Sequence, residues 1–520
     1  MAAGHDQCPS PVDVGKNVYT FTDQSALCLA PHPNMIPFSD TARFVLDGAI
    51  VEARGEHHTT TVLDFLREQL HRTGTKEGCA EGDCGACVVL VGELDASGTA
   101  VRYESVNSCL QLLPTLHGKS VKTVESLRRA DGKQHPVQQA MAEGHGTQCG
   151  YCTPGIVMSL TGMLQTVSSP TRSEIHDALS GNLCRCTGYK PIVAAALKAA
   201  QAPRDQLVLD DKAELELLLE IRGASEHDGV LRTPLGKEFF VPRTVAALAS
   251  YLMQYPQATI LAGSTEIGLQ VNKQFLQPDR IVYLGQVQEL RQAQDMGGFW
   301  RIGAQVSLAA IKTLVSDAYP DFAEVLRRFG SPPIRSVATL AGNIANGSPI
   351  GDCMPCLLAL SASLQLRRGE TTRAVPVDKF YTGQKKNVLQ EGEFIAAVDL
   401  PKPGLGEVFR AHKVSKRFDQ DISATCCAMS YRLIDGKFAD VRVAYNGLAP
   451  SPCRAPALEA VILGRSPEGV SAAELDEAIA RSFTARDGLR ASWVYRSLLA
   501  RNLVLQFVEE ASRATSEAVG

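Results

Sequence analysis

At 520 residues the chain exceeds what one hydrophobic core usually organises, so about two to four domains are expected. Hydrophobic content of 45% is ordinary for a globular protein, and 52 Lys+Arg against 56 Asp+Glu leave a net charge of −4 without a basic block, which argues against nucleic acid or an anionic membrane surface as partner. No apolar run reaches about 18 residues and no basic stretch leads into an apolar one at the N-terminus, so neither membrane span nor secretory signal is expected and the location reads as cytoplasmic.

Residues 1–40 hold Pro9, Pro11, Pro31, Pro33 and Pro37 with little periodicity and read as a poorly ordered extension. Next, Phe44–Leu46 and Ile50–Ala53 flank Asp47-Gly48, a hairpin signal. Thr61–Leu70 has the apolar spacing of a helix, and Val88–Gly92 and Ala100–Val106 read as strands, which together suggest a small α+β domain. Residues 136–200 look helical: Pro154 and Pro191 suit first turns, Thr171 and Ser173 suit caps, and Gly181 suits a helix end. Charged residues 204–226 read as a linker with room for one helix. The rest mixes strands, helices and Gly-rich turns, again α+β, with no repeat.

Fifteen cysteines are present, and eight are grouped between Cys79 and Cys186. In a reducing cytosol such grouping points to metal or redox chemistry rather than disulfides. Cys79-x4-Cys84-x2-Cys87, followed by Cys109, has the plant-type ferredoxin spacing for one [2Fe–2S] cluster. Gly78, Gly82 and Gly85 allow the loop to wrap closely and to aim N–H groups at sulfur. Cys149-x2-Cys152 and Cys184-x-Cys186 stand just before the helices that Pro154 and Pro191 would open, where partial positive charge favours thiolates. Spacing alone leaves zinc open for this second set.

No GxGxxG or GxxxxGK[ST] is present. Ala258–Ala262 reads as a short strand running into Gly263-Ser264-Thr265-Glu266-Ile267-Gly268, which could present consecutive N–H groups to a pyrophosphate or simply form a turn. Thr339–Asp352 is rich in small, hydrogen-bonding residues and reads as a loop, either wrapped around a polar ligand or free on the surface.

Three segments, Glu77–Cys87, Gln148–Gly155 and Gly181–Tyr189, resemble the signature segments of the molybdenum hydroxylases. The resemblance runs from about Arg43 to Phe507. It implies an α+β multidomain fold: a β-grasp ferredoxin-like domain (41–120), a helical-bundle [2Fe–2S] domain (121–203), a linker (204–236), an FAD-binding α+β domain (237–405) and a C-terminal α+β domain like the CO dehydrogenase flavoprotein (406–515). It implies [2Fe–2S] ligation by Cys79, Cys84, Cys87 and Cys109, and by Cys149, Cys152, Cys184 and Cys186. It places Leu261, Gly263, Ser264, Thr265, Glu266 and Ile267 against the pyrophosphate and adenosine side of FAD. Thr339, Asn343 and Asp352 would hold the flavin and its ribityl chain, with Phe329 and Lys413 beside the ring and Ile395 also lining the site.

Lys413–Ile422 is most like the xanthine dehydrogenase branch, which implies purine hydroxylation, with electrons leaving to NAD⁺. One departure is Gln384, where some relatives carry a Tyr thought to face nicotinamide. The relatives with a single chain continue into a molybdopterin domain. The resemblance therefore implies a separate molybdenum-cofactor subunit, with two copies of each subunit in the complex and Gln148 near the pterin. No residue here would catalyse hydroxylation itself. Cys8, Cys28, Cys353, Cys356, Cys426, Cys427 and Cys453 receive no role. An aldehyde, nicotinate or aromatic acyl-CoA hydroxylase, a free-standing electron carrier and a zinc-bound module are the competing expectations.

Overall fold

In the computed structural model, which describes residues 38–128, 132–209, 212–223, 228–233, 235–488 and 490–519, Asp47 and Gly48 both take left-handed backbone and turn strand Thr41–Leu46 into strand Ala49–Arg54. Such a two-residue turn matches the twist of the strands it joins. Most of the expected extension, with Cys8 and Cys28, lies outside the described residues.

The hairpin is one edge of a five-stranded sheet ordered Ala49–Arg54, Thr41–Leu46, Ser120–Lys122, Val88–Leu94, Val101–Asn107. The helix expected over Thr61–Leu70 forms as an α-turn, Val62–Asp64, that widens into a π-helix, Phe65–Gln69. Its Phe65 and Leu66 pack with Phe44, Val89 and Val121 in the core.

Four helices follow: Pro136–Glu143, Thr153–Thr166, Arg172–Leu179 and Lys190–Ala199. Pro154 and Pro191 stand in first turns as expected, where a missing N–H costs nothing. Thr171 and Glu174 form a reciprocal capping box, so Thr171 is the cap and Ser173 lies inside the helix. The linker holds two helices, Arg204–Leu207 and Lys212–Gly223. The second is pinned to the ferredoxin-like sheet by Glu214, which accepts hydrogen bonds from Tyr103 at 2.5 Å and from Ser120 and Lys122.

The third region has two five-stranded sheets, one containing Thr259–Leu261 and the other built around Glu393–Pro401. Thr339–Asp352 is not the continuous loop its composition suggests. Thr339 caps a helix, Leu340–Asn346, by accepting from the Gly342 N–H at 3.1 Å. Leu340, Ala341 and Ile344 bury one face of that helix, which outweighs the low helix propensity of its Gly and Asn residues.

The last region is a four-stranded sheet covered by Pro456–Ile462, Ala472–Ser482 and Trp493–Val519. Cys353, Cys356, Cys426 and Cys427 are fully buried in this half, and burial pushes their thiols up into the neutral, unreactive range. The molecule is thus multidomain α+β. Among the described residues, no helix is long and apolar enough to cross a membrane.

Candidate functional site

The first cysteine loop turns at Ala80, Gly82 and Gly85, all left-handed, and folds back on itself. This directs the Asp83 and Cys84 N–H groups to the Cys79 sulfur, each at 3.4 Å. Cys109 arrives from beyond the strand Val101–Asn107 and places its sulfur 3.3 Å from that of Cys87. A hydrogen bond with Cys84, opposed by burial and aided by the N–H groups of Glu81, Cys84 and Asp83, pulls the Cys79 thiol down to about 5. The Cys87 thiol is lowered chiefly by its hydrogen bond with Cys109, and Cys84 and Cys109 are raised as the partners that keep the proton.

The second set forms in the same way. Cys152 is the N-cap of Thr153–Thr166, and Tyr189 caps Lys190–Ala199 while its hydroxyl accepts from the Cys184 N–H at 2.7 Å. The Cys186 and Cys149 sulfurs are 3.5 Å apart. Cys152, pushed up to about 12 by burial and its hydrogen bond with Cys184, completes the other pair.

The thiols therefore sort into two pairs per set: Cys79/Cys84 with Cys87/Cys109, and Cys149/Cys186 with Cys152/Cys184. Four cysteines in two pairs suit the two irons of one cluster. The residues fit a two-iron cluster in both places.

The two sets touch. The Leu183 N–H donates to the Cys84 carbonyl at 2.9 Å, and Asn182 Nδ2 donates to the Gly85 carbonyl at 3.2 Å. Their exposure differs: Cys87 and Cys109 are buried, while Cys149 and Cys186 are exposed beside the solvent-facing Tyr151 and Leu183.

A cavity of about 740 Å³ lies against the first set, within the size range of cofactor sites. Its walls bring together Gly263, Ser264, Thr265, Glu266, Ile267, Phe329, Thr339, Asn343, Asp352, Ile395 and Lys413. Leu261 stands apart, with its side chain in the core against Phe239 and Ile281. The helix Ile267–Gln274 begins in the cavity wall, and its N-cap, Glu266, makes no side-chain capping bond. That end suits a phosphate, which N–H groups and the helix dipole both favour. Asn343 Oδ1 is buried without a partner among the described residues, so the wall holds an acceptor awaiting a donor. These features fit FAD.

At the far wall Lys413 and Asp352 form a buried ion pair at 2.8 Å. Asn446 holds Asp352 from behind at 2.9 Å, Ser423 also donates to it, and Lys413 donates to the Arg328 carbonyl at 2.9 Å. Gln384 is exposed in a turn, and its neighbour Lys385 lines the cavity.

Several contributors escaped the sequence reading. Glu81, Gly82, Asp83 and Leu110, from the first cysteine loop and the Cys109 turn, also line the cavity. Gln420 donates to the Asp83 carbonyl at 2.5 Å, and Asn272 Nδ2 donates to the Ala80 and Cys109 carbonyls at 2.9 and 2.7 Å. Each is one polar residue in a long chain, and nothing in local spacing marks it.

Four family models match in chain order. They are a 2Fe-2S iron-sulfur cluster binding domain (44–112), a [2Fe-2S] binding domain (123–197), an FAD binding domain in molybdopterin dehydrogenase (235–403) and a CO dehydrogenase flavoprotein C-terminal domain (410–511). The chain is 30% identical to a xanthine dehydrogenase of Drosophila pseudoobscura pseudoobscura over 91% of its own length and 39% of the relative's. It is equally similar, at 30%, to aldehyde oxidase 4 of Cavia porcellus, over 92% of this chain and 40% of that one. It thus spans about two-fifths of the curated relatives it matches. A solved carbon monoxide dehydrogenase chain from Hydrogenophaga pseudoflava is 26% identical, covering 52% of this chain and 94% of that one with a TM-score of 0.49.

Proposed function

Since this chain comprises the iron–sulfur and FAD parts of the molybdenum hydroxylase family, we propose that it carries electrons from purine hydroxylation, on a molybdenum-bearing partner subunit, to NAD⁺. The observation that carries this reading is the order of the sites. The second thiol set is open to the surface at Cys149 and Cys186, the first has Cys87 and Cys109 buried with Cys79 and Cys84 half-buried, and the flavin cavity shares the first set's own loop. A partner that delivers electrons has the Cys149–Cys152 and Leu183–Cys186 surface to meet.

Hydroxylation of one purine would release two electrons; clusters held by these cysteines would supply one-electron chemistry, and FAD held in the cavity would supply the two-electron chemistry that reduction of NAD⁺ requires. The chain's own residues supply the setting. The eight cysteines would hold the clusters in pairs, and the Asp83 and Cys84 N–H groups stabilise negative charge on Cys79. The N–H groups around Thr265–Ile267, at the helix start in the cavity wall, would hold the pyrophosphate. Lys413, fixed by Asp352 in the cavity wall, would set a cation beside a bound flavin ring. The xanthine reading is supported by Lys413–Ile422 and by the several xanthine dehydrogenases among the relatives.

Purification of the native complex tests the proposal. About four irons and one flavin per chain are expected, with a molybdenum protein alongside and NADH formed on hypoxanthine or xanthine. Turnover of aldehydes without purines would overturn the substrate, and a chain that emerges alone with iron and flavin would overturn the partner.

A further inference from the structure

The helix Ile267–Gln274 starts at the flavin cavity and runs across the first cysteine loop. Its Gly268 passes so close to the ferredoxin-like domain that a Cβ there would stand 2.2 Å from the Leu110 carbonyl oxygen. Ser264 donates to that same oxygen at 2.6 Å. One turn beyond Gly268, on the same helix face, Asn272 donates from a single amide nitrogen to Cys109 O at 2.7 Å and Ala80 O at 2.9 Å. Cys109 is itself a thiol of the first set. Ala80 lies in the loop between Cys79 and Cys84, which aims the Asp83 and Cys84 N–H groups at the Cys79 sulfur, each at 3.4 Å.

From one amide nitrogen Asn272 thus clamps the carbonyl of Cys109 and that of the residue after Cys79, and so holds the loop in the shape that directs the Asp83 and Cys84 N–H groups to sulfur. N–H groups that point at cluster sulfurs stabilise the extra charge of the reduced state and so raise the potential. The second set is served from its own domain, by Thr187 at 3.1 Å from the Cys184 sulfur and by Tyr189.

The geometry points to Asn272 as a positioning residue that raises the electron affinity of the Cys79/Cys84/Cys87/Cys109 cluster from the flavin side. This rests on the cofactors proposed above. It means that the cluster reaches its working potential only with the FAD-binding region docked on it.

The test is a redox titration of the purified full-length protein, followed by electron paramagnetic resonance, on wild type, Asn272→Leu, Asn272→Asp and Asn272→Gln. A Cys149→Ser variant assigns the two cluster signals. In Asn272→Leu the first cluster should lose about three- to tenfold in electron affinity, tenfold being 59 mV for one electron. Asn272→Asp should lose more, because a carboxylate replaces the donor, and Asn272→Gln should fall nearest to wild type. The second cluster should not move in any of them. An unmoved first cluster in both Leu and Asp variants would overturn the inference, as would equal shifts in both clusters. Loss of the first cluster in every variant, with the second retained, would overturn it in favour of a purely structural role. Wild-type protein without two cluster signals would instead overturn the cofactor reading beneath it.

Discussion

Cys149 and Cys186 meet across 37 positions of sequence, at 3.5 Å, while Cys79 and Cys84 meet within one loop. The pairing has a consequence that can be measured one thiol at a time. Each pair would supply one iron's share of protein ligands, so removing one thiol should disable its own cluster and spare the other. Cys186→Ser, at an exposed position, is expected to lower iron from about four to about two per chain and leave flavin content unchanged. Iron and flavin analysis of the purified variant checks this; loss of all the iron, or of none, would contradict the pairing.

At the scale of the element, the helix Ile267–Gln274 has two duties that pull in one direction. Its uncapped start suits a phosphate, and its face must lie flat on Leu110 to bring Asn272 to the cysteine loop. Only a residue without a side chain permits that approach at position 268. Gly268→Ala is expected to cost about 1–3 kcal/mol through overpacking. Because the same helix forms the cavity wall, flavin should also dissociate more readily. Thermal unfolding and flavin retention on a desalting column read the two effects; an unchanged melting temperature would mean that the helix shifts without penalty.

Across the whole molecule, two imidazoles of the ferredoxin-like region favour neutrality, and one of them bonds to the FAD-binding region. His58 Nε2 donates to the Pro278 carbonyl at 2.6 Å, and its Nδ1 is buried without a partner among the described residues. His117 Nδ1 accepts from the Arg43 N–H at 3.1 Å. Burial first, then nearby positive charge, hold both rings down at about 4 against an ordinary 6.5. With the folded value lowered, the unfolded chain takes up these protons first as pH falls. The stability they contribute is whole above pH 6.5 and is lost progressively towards pH 4. His58→Gln, which keeps an amide donor for Pro278, should flatten part of that loss. Denaturant unfolding at a series of pH values measures it, and a slope equal to that of wild type would count against His58.

Local chemistry made much of this protein legible in its sequence. The Cys79–Cys87 spacing, the Asp47-Gly48 turn, and Pro154 and Pro191 in first turns each depend on a few neighbouring residues, and each forms where expected. Thr339–Asp352 was misread because its helix is held by burial of Leu340, Ala341 and Ile344, which composition does not reveal. Spacing could not separate zinc from iron at the second set. The residues flanking those cysteines, Gln148–Gly155 and Gly181–Tyr189, favoured iron through their resemblance to a known family, and the matching [2Fe-2S] binding domain agrees. The apposition of the first set to the flavin cavity lies further still from local sequence: Asn272 and Cys109 are 163 positions apart. Hydrogen bonds within a turn are set by the residues in it. Contacts between domains exist only once separate cores have folded and docked, and here that docking brings Glu81, Gly82, Asp83 and Leu110 of the first cysteine set's loops into the cavity wall.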